Sequence, residues 1–117
     1  MLSNTKINNL NRLAEEIDEK KSNEQVVIQC HGVFDLLHLG HIKYFQEAKS
    51  FGDILVVTVT PDEYVRRGPG RPVFTAEQRA EAIAALEVVD YVTVNQWSTA
   101  VRAIELIKPN FYVKGPD

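Results

Sequence analysis

The sequence predicts an α/β protein built on a parallel, doubly wound sheet, and three observations carry that expectation. Stretches of strand character alternate with stretches of helical period along the chain. The strongest strand, residues 53–60, is a nearly unbroken apolar run, as suits a strand covered on both faces. A glycine-bounded turn, residues 32–40, leads from the first strand into a helix. Such sheets connect through right-handed crossovers and bind ligands at the carboxyl ends of their strands, where the strand order reverses.

Taken in order, Ile7, Leu10, Leu13, Ala14 and Ile17 recur at helical spacing, with Glu15, Glu16, Asp18 and Lys20 elsewhere. They predict an amphipathic helix ending near Lys21-Ser22-Asn23. Residues 1–24 are therefore read as an amino-terminal helix that caps the core or joins a dimer contact, and 25–117 as the main domain. Residues 26–30 read as a short buried strand. After the turn comes a helix carrying Ile42, Phe45 and Ala48, with Gly52 placed to end it. Pro61-Asp62-Glu63 follows the central strand as a brief helical turn. Arg66-Arg67-Gly68-Pro69-Gly70-Arg71-Pro72 fits neither a helix nor a central strand and is read as a loop. Thr75 and Gln78 have capping-box spacing ahead of a helix with Ala82, Ile83 and Leu86. Residues 91–94 make a third strand. Ser98 or Thr99 caps a helix with Val101, Ile104 and Ile107 that stops before Pro109, and residues 111–114 make a fourth strand. A fifth strand and a final helix are expected to be missing beyond it.

The bulk properties narrow the function classes. A chain of 117 residues builds one compact core. Its 44% hydrophobic and 25% charged residues are those of a soluble globular protein. A formal charge of −3 leaves no footprint for nucleic acid or acidic lipid. No apolar run is long enough to span a bilayer, and the amino terminus has no signal-peptide core. Cys30 is the sole cysteine, so no internal disulfide forms and a reducing cytoplasm is the simplest setting.

Chemistry concentrates in Gly32-Val33-Phe34-Asp35-Leu36-Leu37-His38-Leu39-Gly40-His41. Gly32 is read as freeing the backbone at the strand end and admitting a ligand. Backbone amides at a helix start, with the helix macrodipole, favour an anion. His38 and His41, three apart, are expected to face the same way and donate to phosphate oxygens. Gly40 removes bulk where phosphates would sit. Asp35 is expected to orient a histidine or to structure the turn. His31 is open between a site role and a strand-end hydrogen bond. Cys30 reads as a small apolar packing group, Lys43 and Lys49 as solvated helix residues, and Trp97 as a packing residue.

Residues 31–41, HGVFDLLHLGH, resemble the H-x-G-H signature of the cytidylyltransferase-like nucleotidyltransferase superfamily. Gly68-Pro69-Gly70-Arg71-Pro72, the segment from Arg79 through Tyr91-Val92, and Val113-Lys114-Gly115-Pro116-Asp117 extend the likeness to the adenylyltransferase domain of heptose-phosphate enzymes. Glycerol-3-phosphate cytidylyltransferase is a weaker match. Val33 and His31 depart from the residues common in the family.

The resemblance implies a Rossmann-like sheet of nucleotidyltransferase type, here lacking its last elements. It implies transfer of AMP or CMP from ATP or CTP to a sugar phosphate or polyol phosphate, with release of pyrophosphate. His38, His41 and Arg79 would be catalytic; Gly32, Val33, Phe34, Asp35, Gly40, Lys114 and Asp117 would bind nucleotide. Arg66, Arg67 and Arg71 would form a phosphate-binding loop. The resemblance also implies Mg²⁺ arriving with the nucleotide, no metal ligands from the protein, and a homodimer. A nucleotide-binding module without turnover, as a fragment or one part of a bifunctional protein, is the alternative. A zinc hydrolase using the histidines is disfavoured, because no spaced partner pair completes a ligand set.

Overall fold

The computed structural model describes residues 5–65 and 68–115, so Arg66, Arg67 and Asp117 of the expected site lie outside the described residues. Four parallel strands form one sheet: β1 (Val27–Gly32), β2 (Ile54–Val59), β3 (Tyr91–Val94) and β4 (Phe111–Tyr112), in the order β3-β2-β1-β4. Helices α1 (Leu10–Ser22), α2 (Leu39–Lys49), α3 (Ala76–Ala84) and α4 (Val101–Ile107) surround it, and a short 3₁₀ turn covers Asp62–Tyr64.

Strand alternation divides the core in two. Ile28 and Cys30 of β1, with Leu55, Val57 and Val59 of β2, join Phe45 and Ala48 of α2 and Ala80 and Ile83 of α3. Val27, Ile54 and Val56 point the other way, against Leu10, Leu13 and Ile17 of α1 and Ala103 and Ile107 of α4. Both sheet faces are therefore covered, which is why β2 reads as a continuous apolar run. Each fully buried aliphatic side chain contributes about 1.5–3 kcal/mol of transfer free energy.

Local signals account for most boundaries. Thr75 and Gln78 form the expected capping box at the start of α3. Asn9 caps α1 by accepting from the Arg12 amide at 2.9 Å, and α1 ends at Ser22 with Asn23 beyond it.

Several expectations are corrected. Ile7 is not in the first helix; it bridges to Val92 in parallel, and Asn8 donates to the Val92 carbonyl, so residues 6–8 cover part of the β3 edge. Ala100, rather than Ser98 or Thr99, precedes α4, and only a 3.4 Å contact from the Val101 amide to the Thr99 hydroxyl remains of the expected cap. Ser50 caps α2. Gly52 instead allows close chain approach, since a Cβ there would meet the Val26 carbonyl oxygen at 2.8 Å. β4 is shorter than 111–114, although the Val113 amide still donates to Gln29.

The chain steps from β1 outward to β2 and β3, then returns past β1 to place β4. The reversal falls between β1 and β4, so a crevice is expected beyond Gly32 and Tyr112.

Candidate functional site

The site is built on the start of α2. His38 is the N-cap residue, with extended backbone (φ −139°, ψ 178°). Its Nδ1 accepts from the Gly40 amide at 3.0 Å, and Nδ1 of His41 accepts from the His38 amide at 3.2 Å. Two histidines thus form a reciprocal capping box, a role usually filled by Ser or Thr with Glu or Gln. The pairing fixes the tautomer: a neutral ring accepting at Nδ1 carries its proton on Nε2. The rings lie 4.0 Å apart at 30°. They face together as expected, but through the cap, because His38 stands before the first helical residue.

Both glycines make room for the chain's own rings. A Cβ on Gly40 would lie 2.7 Å from Cε1 of His38, so the glycine leaves room for that imidazole. A Cβ on Gly32 would lie 2.7 Å from the Phe34 ring, whereas the left-handed backbone of the turn is at Phe34 itself (φ 52°). Phe34 in turn meets His41 edge-on, with centroids 5.5 Å apart.

Asp35 structures the loop opposite. Its buried carboxylate accepts from the Val73 amide at 3.0 and 2.9 Å, from the Phe74 amide at 3.0 Å and from Nη1 of Arg71 at 3.0 Å. Burial raises its pKa, but the two amides and the guanidinium outweigh that and hold the carboxyl below its ordinary range. Asp35 is expected to orient a histidine or to structure its own turn; its contacts instead tie it to the loop at residues 71–74.

Arg79, expected to be catalytic, is placed differently. It is 1% exposed, and its guanidinium donates to the carbonyls of Phe74 (3.0 Å), Val33 (2.8 Å) and Thr60 (2.7 Å) and to Oδ1 of Asp62 (2.6 Å). It ties together the turn after β1, the end of β2 and the loop before α3. It does not line the cleft that holds the histidines.

That cleft, of about 400 Å³, is lined by Val33, Phe34, Asp35, Leu36, His38, His41 and Arg71. A second hollow of about 280 Å³ shares Val33, Phe34 and His41 and runs to the β1–β4 crevice, where it meets His31, Thr60, Tyr112, Lys114 and Gly115. Nδ1 of His31 lies 2.8 Å from the Thr58 hydroxyl, and Nε2 lies 3.4 Å from that of Thr60. Burial pushes its pKa down, favouring the neutral ring. His31 therefore has both its strand-end hydrogen bonds and a place at the hollow.

Tyr44, Thr60 and Tyr112 join the site without being part of the motif. Tyr44 follows His41 by three residues on α2, a spacing that points to the same face, and its hydroxyl donates to the Val113 carbonyl. Thr60 is a polar residue at a strand end. Tyr112 carries no distinguishing signal in the sequence. Cys30 is fully buried and its thiol is pushed up to about 11 by burial, with a hydrogen bond to Tyr44 opposing. Trp97 packs against the α1–α4 side of the core, and Lys49 pairs with Asp90 at 2.7 Å. Among the described residues no three His, Cys, Asp or Glu side chains converge as a metal-ligand set, and no helix is long and apolar enough to cross a membrane.

Comparison with known proteins adds an independent line. Residues 29–117 match the family described as cytidylyltransferase-like. The chain is 44% identical over 117 residues to the bifunctional protein HldE of Geobacter metallireducens, covering 98% of this chain and 24% of that protein. It is 50% identical over 100 residues to HldE of Sulfurimonas denitrificans, covering 84% and 21%. The chain thus spans about a quarter of the length of these curated relatives. A crystal structure of the lipopolysaccharide core biosynthesis protein from Thermoplasma volcanium superposes with a TM-score of 0.70 at 35% identity, over 75% of this chain and 72% of the other.

Proposed function

The chain belongs to the cytidylyltransferase-like family, and from that premise we propose that it transfers a nucleotidyl group from ATP or CTP to a sugar phosphate or polyol phosphate. The observation that carries the proposal is the histidine pair. With both Nδ1 atoms held by backbone amides, the Nε2–H groups of His38 and His41 are the ring donors for a triphosphate beside the α2 amino terminus. Arg71 adds positive charge on the same cleft. The adjoining hollow at the β1–β4 crevice suits the nucleoside, with Lys114 and the turn at Val33 and Phe34 beside it.

In this reading an ionised phosphate oxygen of the acceptor attacks the α-phosphorus, the bond to the bridging oxygen breaks, and pyrophosphate leaves. The acceptor needs no general base because it is already ionised. The protein supplies position and donors for the charge that develops on the phosphate oxygens. Arg79 acts by holding Val33, Thr60 and Phe74 in place rather than by touching phosphate. Mg²⁺ brought in by the nucleotide would supply neutralisation of phosphate charge, and no side chain of this chain is assigned to hold it.

A heptose-like phosphate with ATP is the first choice of substrates. Its support is the likeness to HldE and to a lipopolysaccharide core biosynthesis protein, since such a core is built of sugars. CTP with a polyol phosphate is the second choice. Pyrophosphate release, assayed with ATP and CTP against a panel of sugar and polyol phosphates, tests the proposal. Turnover with one pair is expected. Nucleotide binding without turnover for any pair would make the chain a binding module.

A further inference from the structure

The resemblance groups Asp35 with the nucleotide-binding residues, and its carboxylate is occupied by donors of the 71–74 segment. Its side chain is 5% exposed, and it receives two backbone amides and one guanidinium, all from residues 71–74. A charge so buried is tolerated only when fully paired. Those three donors come from one short segment that lies 36 to 39 residues away in sequence. At its far end the segment is also held by Arg79, whose Nε donates to the Phe74 carbonyl at 3.0 Å. Gly68 and Gly70, just upstream, have left-handed backbone (φ 96° and 76°), and a Cβ on either would meet nothing within 4 Å. Val73 and Phe74 are half exposed.

Arg71 joins the two halves of this arrangement. Its side chain is 33% exposed, it borders the cleft shared with His38 and His41, and its one hydrogen bond among the described residues is to Asp35. One nitrogen is thereby anchored while the other donors of the guanidinium stay unassigned, and a guanidinium has five. Anchoring of this kind lowers the entropy lost when the same group meets a phosphate.

We propose that Asp35 is a positioning residue that clamps the 71–74 segment beside the cleft and presents Arg71 to the nucleotide's phosphates. The presentation of Arg71 rests on the function proposed above; the clamp itself does not. Asp35 touches no phosphate in this arrangement. Its carboxylate fills the donors of Val73 and Phe74, and its charge holds the arginine that does the binding.

The test uses the 117-residue chain with Asp35→Asn, Arg71→Ala and the double variant. Amide hydrogen exchange reads the clamp without any ligand. The Val73 and Phe74 amides should be protected in the parent, and Asp35→Asn should speed their exchange at least tenfold while the β1 amides stay unchanged. Arg71→Ala should leave those two amides protected, and this variant serves if Asp35→Asn fails to fold. Titration with MgATP and MgCTP reads the presentation. Each single variant should weaken the nucleotide that binds at least tenfold, and the double variant should be no weaker than Arg71→Ala alone. Unchanged exchange at Val73 and Phe74 in Asp35→Asn, or unprotected amides in the parent, would overturn the clamp. Fully additive losses would overturn the route through Arg71. Failure of the parent to bind either nucleotide would instead defeat the proposed function and with it the presentation, leaving the clamp to the exchange result.

Discussion

His38 has two tasks in the proposed function, and they can be separated by chemistry. As the N-cap it accepts from the Gly40 amide; as an imidazole it offers Nε2–H to phosphate. Asparagine is a good N-cap but has no imidazole, so His38→Asn should keep the thermal unfolding midpoint near that of the parent. Pyrophosphate release should nevertheless fall about 10²–10³-fold, the usual cost of losing one preorganised donor. A variant with near-parental rate would remove His38 from the mechanism. His41→Ala should likewise abolish turnover while the protein stays folded, with at most about 0.5–2 kcal/mol lost from the cap. Two other residues contribute to the acid limb of stability. The folded pKa values of His31 and Asp35 are both lowered, so each contributes stability above its unfolded value that is lost as the pH falls through the folded one. Urea unfolding should therefore show stability dropping first below about pH 6.5 and again below about pH 4, the unfolded values of His and Asp. His31→Gln should flatten the first step only; persistence of that step would assign it to another group.

At the scale of elements, the carboxyl edge of the sheet depends on Arg79. Its side chain is fully buried, while its ionic partner Asp62 is 45% exposed, so solvent screens the ion pair. The larger contribution comes from the carbonyls of Val33, Thr60 and Phe74, which would lose their donor on truncation. Arg79→Met should destabilise the protein by about 3–5 kcal/mol in denaturant titration, because it strips partners from a buried network. Asp62→Asn should cost far less. Equal losses from the two substitutions would mean that the ion pair, not the carbonyl staple, dominates.

For the molecule as a whole, the order β3-β2-β1-β4 places the ends of β1 and β4 side by side at one crevice. A ligand bound there as proposed would stabilise the folded state by mass action. At a free concentration one hundred times its Kd, the preferred Mg-nucleotide should raise unfolding free energy by about 2.7 kcal/mol, seen as an upward shift in thermal unfolding. Chelation of Mg²⁺ by EDTA should reverse most of that shift. No shift with ATP or CTP at millimolar concentration would count against a nucleotide site in this chain.

Much of the architecture is written locally. The apolar run of β2 declares a sheet covered on both faces, the Thr75–Gln78 spacing declares the start of α3, and the glycine-bounded turn declares the strand-to-helix passage that carries two histidines. Periodicity and capping act over a few residues, so a one-dimensional reading captures them. The same locality explains the misses. Ile7 keeps helical spacing but pairs with Val92, and α4 begins without the side-chain cap that its serine and threonine suggest. The roles of Asp35 and Arg79 depend on partners as far as 39 and 46 residues away, and the reasons for Gly32 and Gly40 lie in the placement of aromatic rings. By itself the sequence determined the sheet, the helices and the histidine-bearing turn on which the proposed function rests. Only the tertiary structure decided which residues line the cleft and which hold it open, because a buried charge takes its function from the groups that folding brings to it.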